Sequence, residues 1–382
     1  MTNLLPPRNR RRESQAGFSL IELMIAITLG LLIMSGLTTI FVKNSQARSE
    51  IERSNRQLES GRYAMTLLTE DLRMAGFLAA FNPYDSIIYP VAPPLGADTA
   101  PVTPAMTAMP DPCATSVADL NKAFFFHVQG IDNLSTTPSC VSDARAGSDI
   151  LVIRRVSTCV AGPTLEAGCD AVVAGTPYFQ SSNCYQATEL AKNSGGAAAA
   201  KDYQDHFRLN TDTAAATMNR RAIDCTAIAT YRRYLTHIYF VANNNVGSDG
   251  VPTLKRAELG ATGFTIVPLV EGIETIQFEY GVDKDGDGKV DDYTANPDSY
   301  NSCAAASCLT NWLRTYSVKV NLLARNVEKS PGWTDSKTYT LGNKANGSAN
   351  VFPTSGTYGD MYKRHAYNAA VRLDNPSGRR LP

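Results

Sequence analysis

The longest apolar stretch of the chain is residues 18–42, which hold 25 residues, a single charge at Glu22 and no proline. At about 1.5 Å per residue, a helix of this length spans roughly 37 Å, more than the ~30 Å hydrocarbon core of a bilayer. Four arginines and one glutamate precede it within the first 17 residues, which predicts a cytoplasmic N-terminus and a chain that lies outside the inner membrane beyond Lys43. A cleaved secretory signal has a shorter apolar core and a small-residue site after it, so an uncleaved membrane helix is favoured.

The helical pattern continues beyond the apolar stretch. Four apolar residues follow it at a spacing of seven: Ile51, Leu58, Met65 and Leu72. Leu68 and Ala75 occupy the intermediate position of the last two repeats. Mostly charged and amide residues fill the positions between them, which predicts an amphipathic helix that stops near Gly76. A free coiled coil is one interpretation, but four repeats are few, and Ser54 and Gly61 weaken the second seam position. Docking against the chain's own globular domain is therefore the favoured interpretation.

The remainder of the chain is predicted to be rich in β-strands. Residues 83–122 are rich in Pro, Ala, Thr and Asp and are predicted to be loop. Runs with strand composition, several of them alternating, follow at 123–128, 149–156, 231–242, 264–269, 273–280, 315–323 and 366–373. The fold class is therefore predicted as α+β, with a long N-terminal transmembrane and amphipathic helix packed on a large antiparallel β-rich domain. The predicted boundaries are 1–17 for a cytoplasmic leader, 18–42 for the membrane helix, 43–76 for its continuation and 77–382 for a periplasmic domain.

All eight cysteines lie in the predicted periplasmic domain, at Cys113, Cys140, Cys159, Cys169, Cys184, Cys225, Cys303 and Cys308. An even number outside the cytoplasm favours disulfides, and no C-x₂-C pair supports zinc. Eight cysteines allow 105 pairings. Our hypothesis within that set joins 303 to 308, 159 to 169, 113 to 140 and 184 to 225.

Glu22 is an unusual residue for a membrane helix. A lone carboxylate within the hydrocarbon costs about 2.5–3.5 kcal/mol, and no Lys or Arg lies within helical reach on the apolar side. A partner from another chain is therefore predicted. The run Gly17-Phe18-Ser19-Leu20-Ile21-Glu22-Leu23 after a basic leader resembles the class III prepilin signal of type IV pilins and type II secretion pseudopilins. The resemblance implies that a prepilin peptidase cuts between Gly17 and Phe18 and methylates Phe18, whose amine then pairs with Glu22 of a neighbouring subunit.

An Asp/Gly loop is the one segment with a metal-binding pattern. Asp283, Asp285 and Asp287 alternate, Gly follows at the sixth position, and Lys289 at the seventh would supply its carbonyl, with Asp291 binding directly or through water. Thr294 stands where an EF-hand has its bidentate Glu, and a β-like run replaces the first helix. We therefore expect a structural Ca²⁺ loop of modest affinity, with Asp292 as a further ligand. The alternative is a metal-free hairpin turn, for which Asp-Gly is a favoured dipeptide.

The C-terminal half of the domain narrows the family. Glu271-Gly272-Ile273-Glu274, Phe278-Glu279-Tyr280-Gly281-Val282-Asp283, the Asp/Gly loop and the final strand ending at Leu373 resemble the PilW family of minor pilins. This resemblance implies a non-enzymatic protein that helps to initiate or cap type IV pilus assembly. It also implies as partners the prepilin peptidase, the major and other minor pilins and a tip adhesin, and a path from the inner membrane to the pilus tip. A minor pseudopilin of type II secretion and a membrane-tethered calcium-dependent binding module remain the alternatives.

Charge and residue types exclude other classes of function. Lys+Arg and Asp+Glu number 36 each, so no basic field indicates nucleic-acid binding. The four histidines are scattered, and no G-x-S-x-G, H-E-x-x-H or P-loop spacing occurs. No catalytic residue is predicted.

Overall fold

The structure is a computed structural model that describes residues 17–82, 106, 108–184, 186, 206–303 and 306–378. The predicted leader lies outside the described residues except for Gly17, as does most of the predicted proline-rich loop. The chain divides into two compact units, of which the first ends at Glu52 and the second begins at Arg53. Helix α1, Leu20–Arg73, contributes residues to both units. It is followed by α2, Val117–Ala123, α3, Ala306–Leu313, and the short α4, Asp374–Gly378.

Thirteen strands are present in the described part of the second unit. In chain order they are β1 Val128–Ile131, β2 Ile150–Val156, β3 Tyr178–Ser181, β4 Phe207–Asn210, β5 Tyr231–Ala242, β6 Thr253–Gly260, β7 Gly263–Glu271, β8 Ile273–Val282, β9 Asp292–Thr294, β10 Thr315–Arg325, β11 Tyr339–Asn343, β12 Ala349–Phe352 and β13 Arg364–Arg372. All their pairings are antiparallel. The α+β class and the large antiparallel domain are therefore confirmed.

Two main sheets organise the strands. The larger has the order β1-β2-β5-β3-β4, and β6 joins it by pairing with both β5 and β7. The 12-residue β5 makes this possible, because residues 231–233 pair with β3 and residues 237–242 pair with β6. The second sheet has the order β13-β10-β8-β9, and β11 and β12 form a separate two-stranded sheet.

One hydrophobic core joins α1 to both main sheets. Its members include Leu68 of α1, Ile153 of β2, Phe278 of β8 and Val320 of β10, each no more than 1% exposed. Strands β2 and β8 are buried at nearly every position. Residues 150–153 of β2 form the apolar run expected of such a strand, whereas β8 also buries polar residues, among them Gln277 and Glu279. Four disulfides join the pairs Cys113–Cys140, Cys159–Cys169, Cys184–Cys225 and Cys303–Cys308, the same pairs as our hypothesis.

The predicted strand at residues 123–128 is wrong. Ala123 ends α2, Phe124 still has helical backbone angles, and β1 begins only at Val128. Ser116 caps α2 by accepting the backbone N–H of Asp119 at 3.2 Å. The apolar run forms an aromatic cluster instead of a strand, because the Phe124 ring stacks on Phe179 and Phe207, with 4.8 Å between centroids. The loop predicted over 83–122 is also wrong at its end, because residues 117–122 belong to α2.

Candidate functional site

The first turn of α1 contains the residues of the predicted processing and assembly site. Gly17, Phe18 and Ser19 precede the helix, and the Phe18 side chain is 89% exposed. The backbone N–H of Ser19 donates to Glu22 Oε2 at 3.0 Å. Because the first N–H groups of a helix have no partner within it, this carboxylate satisfies one of them. The structure therefore places Phe18 and Glu22 together at one helix end.

The apolar residues of α1 from Leu20 to Val42 are exposed throughout. Three hydroxyls within this stretch are satisfied locally, since those of Thr28, Thr38 and Thr39 donate to carbonyls one turn earlier at 2.8–3.0 Å. Internal satisfaction of polar groups is what a lipid environment demands. Among the described residues, α1 is the one helix long and apolar enough to cross a membrane.

The buried stripe of α1 differs from the predicted one. Its buried members are Gln57, Gly61, Ala64, Leu68, Asp71 and Leu72. The predicted positions Leu68, Leu72 and Ala75 are indeed buried, but Leu58 and Met65 are half-buried and Ile51 is 61% exposed. The spacing of seven therefore identified only the last two turns, and docking within the second unit extends along a stripe of small and polar residues.

Small and polar residues are buried here because the packed surface fits them. A Cβ on Gly61 would lie 2.2 Å from Tyr367 Cε2, so the ring of β13 occupies the space that a side chain would need. The amide of Gln57 donates to the carbonyls of Ala324 and Lys363, both at 2.9 Å. Gly61, which the sequence argument treated as a weak seam position, is thus a site of close approach.

Asp71 joins α1 to the larger sheet through a buried polar network that sequence reasoning missed. Arg155 Nε donates to Asp71 Oδ1 at 2.8 Å, while His237 Nδ1 and the Tyr239 hydroxyl donate to Oδ2 at 2.6 and 2.8 Å. Burial alone would raise the pKa of the Asp71 carboxyl, but its hydrogen bond from His237 and the charge of Arg155 hold that pKa well below its usual range. The available signal was a charged residue between Leu68 and Leu72, two apolar positions of the predicted stripe.

The Asp/Gly loop brings three predicted ligands together. Carboxylate oxygens of Asp283, Asp285 and Asp287 lie within 4.8 Å of one another, with Asp283 buried and the other two exposed. The Asp283 carboxylate accepts the N–H of Gly286 at 2.6 Å and of Gly288 at 2.9 Å. Gly288 has a φ of +84°, the left-handed conformation that the sixth position of a calcium loop requires. Three clustered carboxylates are donors that Ca²⁺ prefers.

The remaining predicted ligands have other contacts. Asp291 Oδ2 accepts the N–H of Lys284 at 2.7 Å, and the Lys289 ammonium lies 3.0 Å from Asp287 Oδ2. The side-chain hydrogen bond from Lys289 lowers the pKa of the Asp287 carboxyl. Asp292 Oδ2 accepts the Tyr300 hydroxyl at 2.7 Å, and Thr294 of β9 pairs with Tyr280 of β8. The structure thus groups three of the five predicted ligands and orients Asp291 toward the backbone of the loop.

Two family models match separate parts of the chain. Residues 12–38 match the model of the prokaryotic N-terminal methylation motif. Residues 238–375 match the model described as type IV pilus-assembly protein W, PilW. Over these residues the chain is similar to PilW-family type IV pilins. No curated protein and no solved structure matches it.

The two matches fall on the features described above. The methylation motif contains Gly17, Phe18 and Glu22. The PilW match contains the Asp/Gly loop and all four strands of the four-stranded sheet. Both families are structural components of pili. The N-terminal motif together with the exposed apolar part of α1 indicates membrane anchoring.

Proposed function

We propose that this protein is a PilW-family minor pilin that helps to initiate or cap type IV pilus assembly. The observation that carries the proposal is the combination of a methylation motif at the start of an exposed apolar helix with a large β-rich, PilW-matching unit. The protein would first lie in the inner membrane with its second unit in the periplasm, and then move to the pilus tip. Its partners would be the prepilin peptidase, the other minor pilins, the major pilin and a tip adhesin.

Processing and recruitment would use the first turn of α1. The peptidase would cut after Gly17 and methylate Phe18, and the new amine would pair with Glu22 of a neighbouring subunit. In the uncut chain, Glu22 accepts the backbone N–H of Ser19, so the carboxylate already faces the helix end at which the amine forms. A carboxylate in hydrocarbon is unfavourable alone, which makes a charged partner the source of a gain on assembly.

Glu22→Ala tests recruitment. The variant should insert and be cleaved normally but fail to co-purify with sheared pili or with other minor pilins. Gly17→Ala tests the earlier step, since a larger residue before the cut should leave the leader attached to a membrane-bound chain. Membrane-bound size separates the two effects. If Glu22→Ala enters pili as efficiently as the parent, recruitment by this charge pair is refuted.

We also propose that the Asp/Gly loop holds a structural Ca²⁺ ion. Asp283, Asp285 and Asp287 would be the side-chain ligands, with the Lys289 carbonyl and Asp291 completing the shell. When bound, the ion would neutralise the clustered carboxylates and fix the connection between β8 and β9. The chain's own contribution is the buried Asp283, whose hydrogen bonds to Gly286 and Gly288 hold the loop in its turn.

A melting experiment tests the calcium proposal. Chelation should lower the melting temperature of the full-length protein in detergent, and added Ca²⁺ should restore it. The double variant Asp285→Ala with Asp287→Ala should lose this response, whereas the exposed Asp212→Ala, outside the loop, should keep it. A metal-independent melt of the parent, with no Ca²⁺ bound in calorimetry, would favour the hairpin turn.

A further inference from the structure

Strand β13 is a free edge of the four-stranded sheet. Within the described part of the chain it pairs with β10 alone, over nine residues. Its register runs from Ser317 opposite Arg372 to Arg325 opposite Arg364 without a shift. A long and regular edge strand presents a row of unused N–H and C=O groups to other chains.

The other edge strands of the two main sheets are protected. Strands β1 and β4 have four residues each and β9 has three. Strand β7 has nine, but Pro268 lies within it and its ladder with β6 shifts at Leu254 and Lys255. Short length, proline and bulges are the usual means by which natural sheets prevent edge pairing. β13 has none of these, and its residues between Arg364 and Arg372 include no Lys, Arg, Asp or Glu.

The hydrogen bonds at its two ends show which β13 groups are directed outward. Leu373 N–H donates to the Tyr316 carbonyl at 2.8 Å, and Asn326 N–H donates to the Lys363 carbonyl at 3.0 Å. In an antiparallel pair, hydrogen-bonded positions alternate with non-bonded ones, so the odd-numbered residues of β13 bond to β10. The N–H and C=O groups of Ala366, Asn368 and Ala370 therefore point away from β10. All three residues are exposed.

Side chains on both faces of β13 hold this edge in place. At its start, the fully buried Arg364 guanidinium contacts Glu274 at 2.5 Å, Asp335 at 3.0 Å and Asp360 at 2.7 Å. In its middle, the Tyr367 ring packs on Gly61, and its hydroxyl donates to the Leu58 carbonyl at 3.3 Å. The outward groups are thus presented on a rigid strand, which lowers the entropic cost of pairing with another chain.

We propose that β13 binds an extended strand of a different protein chain by edge-to-edge addition to the four-stranded sheet. A second copy of β13 is a poor match, because β13 contains no Asp or Glu that could lie opposite the exposed Arg372 of the first copy. Arg372 is the exposed charge at the end of the edge, with a side chain 59% exposed. The occupant is therefore a strand with small or apolar residues opposite the alanines and a carboxylate opposite Arg372. This surface is independent of the proposed Glu22 pairing.

The test uses the full-length protein in its native membrane with a photoreactive amino acid, p-benzoylphenylalanine, in place of Ala370. Illumination should produce an adduct with a chain other than this one. Asn368→Pro removes an outward N–H but no bond to β10, and should reduce the adduct at least about tenfold. The matched control Asn368→Ala keeps the N–H and should leave the adduct unchanged.

Hydrogen exchange supplies a second measurement. In the isolated protein in detergent, the amides of Ala366, Asn368 and Ala370 should exchange faster than those of Tyr367 and Ala369, and in the adduct all five should be protected. Should Asn368→Pro lose its resistance to trypsin, Ala370→Lys with the photoreactive residue moved to position 366 replaces it, since a lysine on an edge disfavours pairing.

Three results would overturn the proposal: an adduct that contains only this chain, an adduct insensitive to both blocking variants, or outward amides that stay unprotected in the adduct. Absence of any adduct in cells that assemble pili would overturn it as well. Failure of the proposed pilus function is distinguishable, because it would leave the adduct and its sensitivity to Asn368→Pro intact while the protein is absent from sheared pili.

Discussion

The two parts of α1 have opposite relations between composition and burial. Before Glu52, apolar side chains are exposed, with Leu32 at 68% and Phe41 at 75%. After Arg53, the buried positions include Gln57 and Asp71, both at 7%. Each polar residue of the second part is buried because it meets a defined partner, carbonyls for Gln57 and an Arg–His–Tyr set for Asp71. Burial in this helix therefore depends on the surface that each segment meets, and apolar content alone does not predict it.

Removal of the buried charge in the second part of α1 should cause the largest loss in the free energy of unfolding. Asp71→Ala leaves Arg155 without its carboxylate partner and His237 and Tyr239 without their acceptor. Loss of one member of a buried charged pair costs about 3–5 kcal/mol. Urea unfolding of the full-length protein in detergent, followed by fluorescence of the buried Trp312, measures it. The neighbouring, exposed Glu70→Ala is the control and should change little; equal effects would show that the network adds no stability.

The two parts of α1 should also respond differently when one of their glycines is replaced by alanine. Gly61→Ala should lower the free energy of unfolding by about 1–3 kcal/mol, because its Cβ would overlap the Tyr367 ring. At Gly36, in the exposed part, an added Cβ would meet no atom of the described chain within 4 Å, so Gly36→Ala should cause no loss. The double variant Gly61→Ala with Tyr367→Ala tests the contact: strictly additive losses would mean that the two residues do not interact.

Acid should weaken the same buried network. The pKa of Asp71 is lowered in the folded protein from its ordinary value of 3.8, so its contribution is complete above that value and is lost as the pH falls toward the lower folded pKa. The difference in free energy of unfolding between the parent and Asp71→Asn should therefore shrink from about pH 5 to about pH 3. We expect this change to be smaller than the loss in Asp71→Ala at neutral pH. A difference that stays constant over this range would contradict the assigned ionisation.

The smallest expected effect concerns a residue of the predicted stripe. Ile51 was predicted to face the globular domain, but it is 61% exposed. Ile51→Ala should change the free energy of unfolding by less than about 0.5 kcal/mol, as surface substitutions usually do. The fully buried Leu68→Ala should cost about 2–5 kcal/mol in the same assay. A large loss in Ile51→Ala would restore the sevenfold stripe as the docking surface.

The sequence by itself determined the features that depend on local chemistry. The length and apolarity of residues 18–42 require a helix long enough for a membrane, and Gly17, Phe18 and Glu22 lie within the matched methylation motif. Long alternating or apolar runs such as β5 and β8 were found because the strand period of two and continuous burial are visible in one segment. The Asp/Gly loop was found because a left-handed glycine and alternating carboxylates are specified over a few neighbouring residues.

Only the tertiary structure decided which side of α1 is buried and which sheet edge stays open. The burial of Gly61 depends on Tyr367, and that of Asp71 on Arg155, His237 and Tyr239, which are distant in sequence. The strands β1, β3, β4, β6, β9, β11 and β12 were not predicted, since most are short and their partners, not their own periodicity, hold them in place. Likewise, the outward N–H groups of β13 follow from its register with β10. Contacts between distant segments select among the conformations that a local pattern permits, and no local pattern records them.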